Sequence, residues 1–113
     1  HIDQAMVVGQ DQKFLGALIV PNKESIEEFA RQEGIKYFEQ EELLQHESVV
    51  ELIHEEIQKL VNKSTGFKSF ELIYRFTLLS KPFEVGEELT QTLKIRRNVV
   101  YEKYRREIDK LFA

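Results

Sequence analysis

The chain of 113 residues contains no cysteine. Disulfides, thiolate metal sites and cysteine nucleophiles are thereby excluded, and the composition fits a reducing compartment, with the cytoplasm as the default. No apolar run approaches the roughly 20 residues that a membrane-spanning helix needs, and the N-terminus lacks a basic-then-apolar signal pattern. There is no Gly-rich phosphate loop, no Ser/His/Asp or Cys/His set, no internal repeat and no low-complexity tract. At this length one domain with a single core is expected, with limited room for a deep active site of its own. A self-contained enzyme is therefore not the expectation.

Hydrophobic residues make up 42% of the chain, including eight Phe and four Tyr, enough for a packed interior, while 32% charged residues give it a soluble surface. The net charge of −4 is unevenly spread. Residues 94–113 carry seven Lys/Arg against three Asp/Glu, and the preceding 93 residues carry nine against seventeen. A basic end on an acidic body argues for a local anion-facing patch and against a general nucleic-acid binder. A solvated helix face would have the same composition, so the choice falls to the motif that precedes it.

Two short apolar runs, residues 4–9 and 14–20, flank a polar connection and predict a β-hairpin closed by Pro21. The second run is apolar on both faces, as a central strand covered on each side would be. Asn22 or Ser25 is placed to cap a short helix bearing Ile26, Phe29 and Ala30, ended by Gly34 in a left-handed C-cap. An acidic turn at Glu39–Glu42 leads to a helix over 47–64, where Val49, Val50, Ile53, Ile57, Leu60 and Val61 form a stripe and Gly66 supplies the stop. Residues 70–79 alternate, with Phe70, Leu72, Tyr74, Phe76 and Leu78 on one face. A single helix over 97–112 is predicted last, with Val100, Tyr101, Tyr104, Ile108, Leu111 and Phe112 inward. The fold class is α+β: a small mixed sheet, hairpin plus third strand, packed with three to four helices.

Between the last strand and the last helix lies Leu89-Thr90-Gln91-Thr92-Leu93-Lys94-Ile95-Arg96-Arg97. An ammonium at a loop tip, with further positive charge behind it, suits neutralising a phosphate or carboxylate. Lys94 is the leading candidate. Thr90 and Thr92 suit shaping the loop or contacting phosphate oxygens, and Arg96 and Arg97 are second-rank candidates for a phosphate or a domain interface. His46, Glu47, Glu51, His54 and Glu55 invite a metal reading, but residue 58 is Gln, so His-Glu-x-x-His is not met. Glu51 and Glu55 fit the solvated face opposite the Val/Ile stripe, and no metal ligand is assigned.

The same run resembles the last signature motif of the AMP-forming acyl-CoA synthetases, in the form of their long-chain fatty acid branch. Most of the wider adenylate-forming superfamily has Gly before the motif lysine, where this chain has Leu93. The resemblance extends from about Gln4 to Phe112: Val7-Val8-Gly9 and Ala17-Leu18-Ile19-Val20-Pro21 look like the family's paired strands, Phe70 to Leu79 like its third, and Ile108-Asp109-Lys110-Leu111-Phe112 like its terminal helix. It implies the C-terminal lid of a long-chain fatty acid–CoA ligase, with Lys94 serving fatty acid adenylation and the domain then rotating for thioester formation. ATP, Mg2+, CoA and a fatty acid are then requirements of the whole enzyme. The N-terminal adenylating domain is the implied partner, and peripheral membrane association is compatible. The family's Gly-Arg-x-Lys-Asp hinge does not occur here, so the expectation is a lid lacking both the hinge and the large domain. The rival is a non-catalytic interaction domain whose basic last helix docks an acidic protein. A nucleic-acid role comes third, because Tyr101 and Tyr104 fall on the apolar stripe, and no nucleic-acid partner is assigned.

Overall fold

A computed structural model describes residues 1–9, 12, 14–63 and 73–113. Strand β1 (Ile2–Val8) runs antiparallel to β2 (Leu15–Pro21), which runs parallel to β3 (Ile73–Leu78), giving the order β1-β2-β3. The parallel β2–β3 pair needs a long crossover, and helices α1 (Lys23–Glu33), α2 (Gln40–Leu44) and α3 (Glu47–Lys63) lie along it. Because β2 is central, both its faces are covered, as its unbroken apolar run predicts. Leu18 and Val20 join Met6 and Val8 in one cluster, while Ala17 and Ile19 face the opposite one.

On the second face, Ile26 and Ala30 of α1, Leu43 and Leu44 of α2, and Val49, Ile53 and Ile57 of α3 close over Ala17 and Ile19. The caps of α1 follow the sequence: the Asn22 side chain accepts the Ser25 N–H at 2.8 Å, and Gly34 adopts φ 68°. Helix α2 was not expected. The sequence reads there as an acidic turn, but Leu43 and Leu44 after the acidic residues bury fully and hold one helical turn against the core. Val50 also departs from its assigned stripe and is exposed, because it lies one residue past Val49 on the helix circumference. Glu51 and Glu55 face solvent, as expected. The Gly66 stop, the first residues of the strand placed at 70–72, and the side chains of Leu60, Val61 and Tyr74 lie outside the described residues.

The first face is covered by Leu79, Phe83, Leu89, Val100, Ile108 and Leu111. The single last helix is in fact two, α4 (Arg97–Lys103) and α5 (Arg105–Leu111), broken at Tyr104 with φ −111° and ψ 29°. The break keeps hydrogen bonds on both sides, since the Tyr104 N–H donates to Val100 O at 2.9 Å and Tyr104 O accepts from Ile108 N–H at 3.0 Å. Val100, Ile108 and Leu111 still reach the same sheet face across the break. With α2 and this split, five helices are seen among the described residues, where three to four are predicted. No described helix is long and apolar enough to cross a membrane.

Candidate functional site

The segment from Phe83 to Arg96 is fastened to the sheet before it reaches the lysine. The Phe83 N–H donates to Gln4 Oε1 at 2.7 Å and Phe83 O accepts from Gln4 Nε2 at 3.2 Å, so a side-chain amide on edge strand β1 pairs with the loop as another strand would. Phe83 itself is buried against Tyr104, ring centroids 6.5 Å apart. The chain then forms a tight hairpin whose base is the antiparallel bridge between Leu89 and Ile95. Within it, Thr90 N–H donates to Lys94 O at 2.9 Å, Leu93 N–H to Thr90 O at 2.9 Å, and Lys94 N–H to Thr90 Oγ1 at 3.0 Å. Thr90 Oγ1 also lies 3.2 Å from Thr92 Oγ1. Both threonines are thus engaged inside the loop.

Leu93 has φ 66°, the only positive φ at a non-glycine residue among those described. That left-handed conformation is what glycine tolerates without cost, which gives a physical reason for the glycine that the wider superfamily carries before its motif lysine. The Leu93 side chain is 67% exposed and rims a shallow recess of about 260 Å3 with Gln4, Ala5, Phe83, Leu89 and Ile95. Lys94 stands beside it, exposed, and its ammonium makes no ion pair among the described residues.

The two arginines behind Lys94 brace the hairpin. Arg96 Nη1 donates to Glu87 O at 3.2 Å, and Arg97 Nη2 donates to Val7 O at 2.8 Å with its guanidinium 5.7 Å from the Tyr101 ring centroid. They tie the start of α4 to the loop and to the end of β1. Tyr101 and Tyr104 pack against the core of this face. The histidines have local partners: His46 Nδ1 accepts the Ser48 N–H at 3.1 Å, and His54 contacts Gln58 and stacks on Phe76. No group of three His, Cys, Asp or Glu among the described residues is placed to hold a metal ion.

Sequence reasoning missed Glu88, the one buried charged residue in the described core, at 1% exposure. Its Oε1 accepts the Glu84 N–H at 3.0 Å and its Oε2 accepts Lys103 Nζ at 2.6 Å, while its carbonyl accepts the Arg96 N–H at 2.7 Å. Burial pushes this carboxyl upward, but the Lys103 ammonium and the Glu84 N–H outweigh it and hold it below the usual carboxylate value. The bond to Glu88 raises Lys103 in turn. Nothing in the local pattern distinguishes Glu88 from Glu84 and Glu87, because its burial comes from α4 closing over the hairpin.

The geometry defines a small α/β/α-layered domain presenting on a braced hairpin an ammonium that has no ion pair among the described residues. It belongs to the AMP-binding enzyme C-terminal domain family, whose model matches residues 1–113. The chain is 34% identical, over 98% of its length, to "Probable acyl-activating enzyme 16, chloroplastic" of Arabidopsis thaliana. It is 33% identical, over 99%, to long-chain-fatty-acid–CoA ligase 1 of Cavia porcellus. It is 32% identical, over 99%, to a chloroplastic long-chain-fatty-acid–[acyl-carrier-protein] ligase of Arabidopsis thaliana. It spans only 13% to 16% of these relatives' own length. In fold it matches the adenylation domain of a carboxylic acid reductase from Segniliparus rugosus, solved with AMP and a co-purified carboxylic acid, with TM-score 0.73 and 21% identity, over 98% of this chain and 16% of that one. The adenylation domain of a Mycobacterium chelonae carboxylate reductase gives TM-score 0.72 at 23% identity, over 98% of this chain and 15% of that one.

Proposed function

We propose that this chain is the C-terminal lid of an AMP-forming long-chain fatty acid ligase and that Lys94 is its contribution to catalysis. In the first half-reaction a fatty acid carboxylate oxygen attacks the α-phosphorus of ATP; the bond from that phosphorus to the bridging oxygen breaks, giving acyl-AMP and pyrophosphate. Negative charge from carboxylate and triphosphate then crowds into one place. A fixed ammonium orients the two anions and offsets the charge in the transition state. The observation that carries this reading is the Lys94 ammonium, without an ion pair among the described residues, on a hairpin whose two threonine hydroxyls are engaged in its own hydrogen bonds. In the second half-reaction the lid rotates, a thiolate sulfur attacks the acyl carbonyl, and AMP leaves. Mg2+ accompanies ATP as its phosphate counterion in this reading. No residue of this chain is assigned to it, and Arg96 and Arg97 brace the hairpin through Glu87 O and Val7 O.

The identity to a protein named as an acyl-carrier-protein ligase favours a second acceptor beside CoA, the thiol of a carrier protein. The test uses the full-length protein with Mg-ATP, long-chain fatty acid and either CoA or acyl-carrier protein. Thioester formation with one or both supports the ligase and names the acceptor; no fatty acid-dependent AMP release with either contradicts it. The 113-residue chain alone is expected to fold and to form no thioester, since it spans only 13% to 16% of the length of these relatives. Turnover by this chain alone would overturn the lid assignment.

A further inference from the structure

Among the described residues one charged group, Glu88, is buried rather than on the surface. Glu88 sits beneath the Lys94 hairpin, one residue before the Leu89–Ile95 bridge that forms its base. Through three atoms it reaches the Glu84 turn and both ends of α4: Oε1 to the Glu84 N–H, Oε2 to Lys103 at the end of the helix, and its carbonyl to Arg96 at the start. The Lys103 side chain is 45% exposed and its ammonium lies 5.8 Å from the Tyr104 ring centroid, where α4 gives way to α5. We propose that Glu88 and Lys103 are a positioning pair that locks the Lys94 hairpin to the α4–α5 break, and so fixes where the Lys94 ammonium points.

The inference rests on the role assigned to Lys94. Gln4, Arg96 and Arg97 fasten the flanks of the hairpin, and a buried carboxylate bonded on both oxygens removes freedom at its base. Core packing alone does not require a charge here. Buried ion pairs add little to stability over apolar residues of similar volume, and their best-attested use is to fix one arrangement among several. Precision matters at this site because a misplacement of roughly 1 Å costs about 10²-fold in rate.

The test is made in the full-length protein with Lys103→Met, Glu88→Gln and the double variant beside Lys94→Ala. Gln retains the acceptor for the Glu84 N–H, and Met retains the apolar stem of Lys103, so the double variant leaves no lone buried charge. The expected result is a fall in single-turnover adenylation of at least about tenfold in each, with transfer from supplied acyl-adenylate changed by less than about twofold. The KM for ATP should be little altered, and the double variant should be no worse than the worse single one. Amide hydrogen exchange should rise over Leu89–Arg96 and stay unchanged in β1 and β2. If Lys94→Ala cripples adenylation selectively but folded Lys103→Met and Glu88→Gln leave it intact, the positioning pair falls and the Lys94 role stands. If Lys94→Ala spares adenylation, both fall. Equal losses in the two half-reactions of the Glu88 and Lys103 variants, or exchange raised throughout the domain, reduce the pair to a structural one and overturn the proposal.

Discussion

Leu93 carries a local cost that its neighbours impose. The bonds from Leu93 N–H to Thr90 O and from Lys94 N–H to Thr90 Oγ1 require a left-handed residue between them, and a branched side chain adopts that conformation at roughly 1–2 kcal/mol. Since the Leu93 side chain is mostly exposed, little burial offsets the cost. Leu93→Asn is therefore expected to stabilise the domain by about 0.5–1 kcal/mol in chemical denaturation, because asparagine accepts positive φ. Leu93→Gly is expected to gain less, as glycine also frees the unfolded chain. A loss of more than about 1 kcal/mol in Leu93→Asn would mean that the side chain, not the backbone, governs this position. The motif was legible in sequence down to the lysine, and the departure from glycine at residue 93 was visible too. Its conformational meaning was not, because a dihedral angle is set by which carbonyls and hydroxyls the turn must satisfy.

At the scale of elements, the last helix shows what periodicity conveys and what it omits. Val100, Ile108 and Leu111 are buried as their spacing predicts, and Ile108→Ala is expected to cost about 2–5 kcal/mol in denaturant unfolding; a cost below roughly 0.5 kcal/mol, the range of surface changes, would contradict that packing. The break at Tyr104 left no trace in the pattern because a single non-helical residue shifts the phase too little to erase the stripe. Helix α2 escaped for the opposite reason: one turn is too short to show a period, and Leu43 and Leu44 are fixed by tertiary packing. The Glu88–Lys103 pair gives this region a pH signature. The Glu88 carboxyl lies below its ordinary value of 4.5 when folded, so the stability it contributes is present above that value and is lost as pH falls through the folded one. Acid titration of Glu88→Gln should accordingly show a shallower fall in stability below about pH 4.5 than the parent chain. Parallel curves for the two proteins would remove the pair from the acid response.

For the whole molecule, the layer order follows from β2. An apolar run with no polar face demands cover on both sides, and the chain supplies α1–α3 on one and the hairpin with α4–α5 on the other. That much was readable from composition and alternation. The convergence of Gln4, Phe83, Glu88 and Lys103 beneath the hairpin was not, since it joins positions far apart in sequence through contacts that only the folded layers create. The molecule therefore presents Lys94 on a support built from β1 and α4, which suits the role proposed for it, meeting two anions in one pose and leaving in another. The measurement that bears most directly on this account is a pair of single-turnover assays on full-length Lys94→Ala: adenylate formation from fatty acid and ATP, and transfer from supplied acyl-adenylate to the acceptor thiol. Adenylation should fall by about 10²–10³-fold, the size of one lost electrostatic stabiliser, while transfer is largely spared. Lys94→Arg should rescue poorly, because a planar fork does not reproduce a compact point charge. Equal losses in both half-reactions, or no loss in either, would contradict the role assigned to Lys94.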